Sequence, residues 1–153
     1  MSIYENLRKL NIEIPKPPNP VGSYVAYKKT SNLLFISGQI SIDANGNITK
    51  GKLGKELSIE QGQAAAELCA INIIAQAKKA CDEKLETIRN CIKLTGYVNS
   101  TNDFNDQPKV INGASEIISA VFGENGKHTR AAISANSLPL DAAVEVDAIF
   151  ELK

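Results

Sequence analysis

The chain has 153 residues, 43% of them hydrophobic, which at this length supports one domain with a core of its own. Its 17 basic and 17 acidic residues cancel to a formal net charge of zero. No basic excess or stripe speaks for nucleic acid, and no run approaches the ~18 apolar residues of a membrane-spanning helix. Three cysteines, Cys69, Cys81 and Cys91, lack CxxC spacing, and the single histidine is His128. A zinc site is therefore not expected, and the cysteines read as small core residues. An odd cysteine count behind an N-terminus without a basic start and apolar run reads as a cytoplasmic protein.

Residues 1–20 read as an N-terminal arm, ahead of a single domain over 21–153. Ser2 and Glu5 form a capping-box pattern, with Ile3, Leu7 and Leu10 as one stripe, so a short helix is expected over 2–10. Pro15, Pro17, Pro18 and Pro20 then forbid helix and predict an extended strap, either a linker or a packed arm. Tyr24–Lys28 and Leu33–Ser37 read as strands joined by a turn at Thr30-Ser31-Asn32. Gly38 marks a bulge or a close backbone approach, and Asn45-Gly46 a turn.

Ser58 and Gln61 repeat the capping box and open a long helix to about Cys81, carried by Ala64, Leu68, Ile71 and Ala75. Ile88 to about Val98 is a strand without clean alternation, which reads as a central strand buried on both faces. Asp106 is placed to cap a second long helix, with Pro108 in its first turn and Gly123 as its stop. Two strands finish the chain. In the first, His128, Arg130, Ala132 and Ser134 share a face. In the second, Val144, Val146, Ala148, Phe150 and Leu152 alternate with Glu145, Asp147 and Glu151. Helices on one side of a mixed sheet make an α+β layer, and the other sheet face then needs cover, which a homo-oligomer would supply.

Arg130 stands on a strand between small residues. An arginine fork presents parallel N–H donors that match a carboxylate. It is the expected anchor of a small anion, with Glu145 as a candidate polar partner. The competing reading is an ion pair across a strand or subunit boundary.

These residues also resemble a known family. Arg130, then Leu138-Pro139, then Glu145 resembles the C-terminal signature of the RidA/YjgF reactive-intermediate deaminases, formerly labelled endoribonuclease L-PSP. Pro20-Val-Gly22-Ser-Tyr24, Phe35-Ile-Ser37-Gly38-Gln39-Ile40, the Gln63 to Asn72 helix segment and Asn102-Asp103-Phe104 resemble its other elements in the same order, over roughly residues 20 to 152.

The resemblance implies a chorismate-mutase-like fold: a mixed six-stranded sheet with two helices on one face, in a homotrimer with ligand sites at the subunit clefts. It implies hydrolysis of 2-imino acids or their enamines to 2-oxo acids and ammonia, with no metal or organic cofactor. Carried over, Arg130 clamps the substrate carboxylate and Glu145 helps place water. Tyr24 and Gly38 line the cleft, the backbone around Ala132 meets the imine, and the family's site asparagine falls on Asn112. His128, on the Arg130 face, borders the cleft. Where the best-known branch has a cysteine, this chain has Ala132, and its arm is longer, which reads as a divergent branch. A non-enzymatic trimer that binds a small carboxylate is the alternative. Ribonuclease activity ranks below both, given the zero net charge and the lone histidine.

Overall fold

A computed structural model describes residues 1–153. Its elements are α1 (Ile3–Lys9), β1 (Tyr27–Thr30), β2 (Leu33–Ile40), α2 (Ile59–Ala80), β3 (Ile88–Asn99), α3 (Gln107–Phe122), β4 (Thr129–Ala135) and β5 (Val144–Leu152). The strands form one mixed sheet of five in the order β1-β2-β5-β3-β4. Only the β3–β4 pair is parallel, because α3 carries the chain back across the sheet between them.

The expected sixth strand is absent. The stretch from Ile42 to Leu57 makes only isolated bridges, Ile42 to Ile48 and Lys50 to Ala142 among them. Left-handed backbone at Gly46, Gly51 and Gly54 turns this stretch too often for a ladder to propagate. The first strand also begins later than expected, at Tyr27. Tyr24 and Val25 lie in a bend before it, and the turn at Ser31, with φ 52°, stands as predicted.

Both capping boxes form. The Ser2 and Ser58 hydroxyls accept from the Glu5 and Gln61 amides, and the Glu5 and Gln61 side chains accept from the Ser2 and Ser58 amides. Asp106 makes no side-chain cap on α3, contrary to expectation; its carboxylate pairs with Lys109 instead. Gly123 stops α3 in the left-handed region, φ 63°.

The two long helices and the short N-terminal one are all present. α2 and α3 cover one face of the sheet, and α1 packs on α3 with Leu7 buried. The strap follows as a packed element: Ile12 and Ile14 lie against the core. The core lies between α2, α3 and the inward side of β5, where Val144, Val146, Ala148, Phe150 and Leu152 are buried. Cys69, Cys81 and Cys91 are free thiols within it.

β3 does lie between two strands, but it is not buried on both faces, and Ile92 is exposed. Register shifts at Ile88/Asn90 and Cys91/Lys93 explain the broken alternation: each extra residue reverses which parity faces inward. The sheet's second face carries no helix. It exposes Phe35 (41%) and Ile133 (48%) beside Tyr97, Glu145 and Asp147. No helix of the protein is long and apolar enough to cross a membrane.

Candidate functional site

Strand register decides which predicted residues meet. Arg130 pairs with Leu94, whose other neighbour is Ala148; both of these are buried on the helix side. Ile133 pairs with Tyr97, whose other neighbour is Glu145, on the uncovered side. Arg130 and Glu145 therefore project from opposite faces of the sheet. Within one chain they are not partners, which corrects the simple pairing expected from sequence.

Around Arg130 the neighbours come from α3. Its Nη1 donates to Asn112 Oδ1 at 2.8 Å and Ser115 Oγ at 3.2 Å, and its Nη2 donates to the Pro108 carbonyl at 3.4 Å. A guanidinium has five N–H groups, so Nε–H and one Nη2–H are left without a protein acceptor. No carboxylate forms an ion pair with it. The cation is held by three neutral oxygens, its charge uncompensated, and it is half-buried. The predicted Asn112 is thus beside Arg130. Ala132 follows two residues along the same strand face and is half-buried, opposite Gly96. An ideal Cβ on Gly96 would collide with the Ile111 side chain, so a glycine is what lets α3 settle this close to β3 and β4.

His128 joins the cluster indirectly. Its Nδ1 lies 2.7 Å from the Gly126 carbonyl and its Nε2 2.9 Å from Ser115 Oγ. A carbonyl only accepts, so Nδ1 carries the proton in the neutral ring and Nε2 accepts from the Ser115 hydroxyl. The relay runs from Arg130 through Ser115 to His128 and fixes each rotor in it. Ser115 was not singled out from sequence. Its position three residues after Asn112, on the same helix face, was the available signal.

The other predicted residues lie elsewhere. Tyr24, Gly38 and Glu145 line one cavity of about 580 Å³, together with the strap residues Pro18, Pro20 and Val21 and the loop residues Pro139 and Leu140. Gly38 falls where β2 and β5 shift register, between Ile36 and Gln39, so the expected bulge is present. It is also the expected close approach, since an ideal Cβ there would strike Glu145 Oε1. The Glu145 carboxyl makes no hydrogen bond or ion pair within the chain. Burial, and then the nearby Asp147 charge, push it above the usual carboxylate range. Burial likewise raises Asp147, which accepts a hydrogen bond from Tyr97 Oη at 3.2 Å.

The cavity wall contains two further polar groups that sequence reading passed over, Gln39 and Gln76, 7% and 1% exposed. A glutamine within the alanine-rich stripe of α2 was the visible signal. No cluster of three His, Cys, Asp or Glu side chains is arranged to hold a metal ion.

A sequence profile described as "YjgF/chorismate mutase-like, putative endoribonuclease" matches residues 5–152. The chain belongs to the RidA/YjgF family. Its membership takes in most of the arm, which the sequence resemblance had left outside. Protein TCP17 of Trypanosoma cruzi is 40% identical over 148 residues, 96% of this chain and 92% of that protein. The crystal structure of a protein of unknown function from Agrobacterium tumefaciens is 42% identical, covers 99% of this chain and 92% of its own, and superposes with a TM-score of 0.92. Escherichia coli TdcF, solved with bound serine, shares the fold at 22% identity and a TM-score of 0.66, over 90% of this chain and 94% of its own. The five-stranded sheet with its helix layer is this family's chorismate-mutase-like fold.

Proposed function

We propose that this RidA/YjgF-family protein is a deaminase that hydrolyses 2-imino acids, and the enamines in equilibrium with them, to 2-oxo acids and ammonia. The observation that carries the reading is the pair of unmatched charges. Arg130 is a cation with two free N–H donors and only neutral partners, and Glu145 is a desolvated carboxyl with no partner at all. Each half is what the other lacks, and they occupy opposite faces of one sheet. A second copy that lays its β4 edge over the uncovered face of the first brings them together. The exposed Phe35 and Ile133 on that face favour such cover, and a homotrimer closes it symmetrically.

The chemistry asks little more of the protein. The substrate carboxylate binds the free edge of the Arg130 fork, which orients the C=N carbon. Water adds to that carbon, and its proton passes to the Glu145 carboxylate of the neighbouring copy. The same carboxyl returns that proton to nitrogen to give the carbinolamine, then carries the hydroxyl proton to the amino group, so that the C=O bond forms as the C–N bond breaks and ammonia leaves. A carboxyl raised toward neutrality suits these transfers better than an ordinary glutamate. No side-chain nucleophile takes part, so Ala132 removes no reacting atom. The lining Tyr24 and the space left by Gly38 shape the cleft around Glu145.

A carboxylate-binding trimer without turnover is the second reading, favoured by the serine bound to TdcF. An assay in which an amino-acid oxidase generates the imine separates the two. Faster release of ammonia and 2-oxo acid on adding the protein, lost in Arg130→Ala, supports the deaminase. Ligand-dependent thermal stabilisation with no acceleration supports the binder. RNA cleavage that persists through repurification and disappears in Arg130→Ala would restore the ribonuclease reading.

A further inference from the structure

We infer that the strap-walled cavity beside Glu145 receives the substrate's side chain, and that this is a bulky, mostly apolar group carrying a hydrogen-bond donor. The inference rests on the proposed placement of the substrate carboxylate at Arg130.

The cavity of about 580 Å³ is far larger than the smallest 2-imino acids need. At about 30 Å³ per water it has room for roughly nineteen waters. The three-carbon imino acid, with about six non-hydrogen atoms, would leave most of the wall untouched. That wall is chiefly apolar: Pro18, Pro20 and Val21 from the strap, Ile40 and Ile42 from the end of β2, and Leu140. Leu140 is held in the left-handed region, φ 59° and ψ 22°, a conformation a leucine adopts only when its surroundings enforce it.

The strap does not hang loosely over this space. Its prolines fix their own φ, and the Pro18 carbonyl accepts from Gln76 Nε2 at 2.7 Å. Gln76 Nε2 also reaches Gln39 Oε1 at 3.4 Å, and Gln39 Nε2 donates to the Ser37 carbonyl at 2.9 Å. Both amide nitrogens are thereby assigned and used. Gln76 Oε1 accepts nothing from the protein, although its residue is only 1% exposed and lies in the cavity wall. No side-chain polar atom of the protein is both enclosed and unpartnered, so this oxygen opens onto the cavity, where a ligand N–H or O–H can donate to it.

Stable 2-oxo acids, which share the product's carboxylate and shape, give a binding readout that does not depend on turnover. Calorimetric titration of the whole protein with 2-oxopropanoate, 3-phenyl-2-oxopropanoate and 3-(4-hydroxyphenyl)-2-oxopropanoate measures both parts of the inference. The phenyl compound is expected to bind at least tenfold tighter than 2-oxopropanoate, since each buried methylene equivalent contributes about fourfold. The hydroxyl should add about fivefold, the effect of one neutral hydrogen bond. Gln76→Met should abolish the hydroxyl gain and keep the phenyl preference; Ala26→Leu, which fills the cavity, should bring the phenyl-to-methyl ratio close to one.

Equal affinity for all three acids in the unmodified protein overturns the inference, as does a pair of ratios that neither variant changes. If the ratios hold but no imine is hydrolysed, the deaminase reading falls and the side-chain site stands. If imines are hydrolysed with no preference in binding or rate for the larger acids, the site falls and the deaminase stands. Failure of all three acids to bind overturns the inference, and the deaminase reading is then decided by imine hydrolysis alone.

Discussion

Arg130 sits among three neutral oxygens on one face of the sheet, while Glu145 stands on the other face without a single donor. The first region is finished by its own chain. Asn112 and Ser115, one helical turn apart on α3, hold one nitrogen of the fork, the Pro108 carbonyl holds another, and His128 orients Ser115. The second is held open. Gly38 leaves space for the Glu145 carboxyl, the strap and the Pro139–Leu140 loop wall it in, and nothing within the chain neutralises it. Arg130 is held rigidly by its own chain, whereas the Glu145 carboxyl is partly desolvated and left without a partner.

If each region is half of a site shared between copies, breaking either half should be equally damaging. Arg130→Ala and Glu145→Gln are each expected to lower kcat/KM for imine hydrolysis by about 100-fold, the scale of losing one member of a desolvated charge pair. The sharper form of this test mixes the two inactive variants after gentle dissociation. Reassociated trimers should regain about a quarter of the unmodified activity, the statistical share of sites that combine an intact arginine with an intact glutamate. No recovery would mean that Arg130 and Glu145 do not meet across subunits.

Next in size is the glycine that makes room for Glu145. Gly38→Ala pushes its Cβ into the Glu145 carboxyl and should cost about tenfold in kcat, with little change in a Glu145→Ala background, where the obstruction is gone. A full additional loss in the double variant would assign Gly38 a role independent of the carboxyl.

On the clamp side the effect is smaller and of another kind. Ser115→Ala removes one acceptor of Arg130 and the donor to His128. It should raise KM about fivefold, the scale of one hydrogen bond, and leave kcat nearly unchanged. His128→Gln should repeat that pattern more weakly, because its contact with Arg130 runs through Ser115. A kcat loss exceeding the KM change would place these residues nearer the reacting atoms than α3 puts them.

The smallest expected effect has the opposite sign. The folded state raises the Glu145 pKa, so it favours the protonated form. Ionised Glu145 therefore costs stability at neutral pH. That cost fades as pH falls through the raised pKa and is gone below the ordinary glutamate value, about 4.3. In protomers kept dissociated, where no neighbour's Arg130 faces the carboxyl, Glu145→Gln should accordingly raise Tm by a degree or two near pH 7, with the gain shrinking to nothing by about pH 4. Thermal melts across that range check it. A variant that is both more stable and inactive would show that the carboxyl is kept for function rather than for folding.

Much of the fold could be read along the chain. Helix starts are local events, so Ser2 with Glu5 and Ser58 with Gln61 announced α1 and α2 correctly. The alternation of β5 was equally plain, because that strand runs through the middle of the sheet with one face buried throughout. Asp106 misled, since Lys109, three residues on, competes for its carboxylate and takes it from the helix amides. The bulges of β3 hid its faces for a related reason: register is decided by the partner strand and leaves no mark on the strand itself.

The site divides in the same way. Fork geometry, charge and smallness are properties of single residues, so Arg130, Glu145 and Gly38 could be singled out along the sequence, whereas Tyr24 and Asn112 entered only through the family resemblance. Which of them could touch was decided only by strand order and register, which send Arg130 to the helix face and Glu145 to the bare one. Ser115, Gln39 and Gln76 gained their importance the same way, through contacts made by segments distant in the chain. A side chain carries its own chemistry wherever it stands, but its partners are set by how the chain closes in three dimensions.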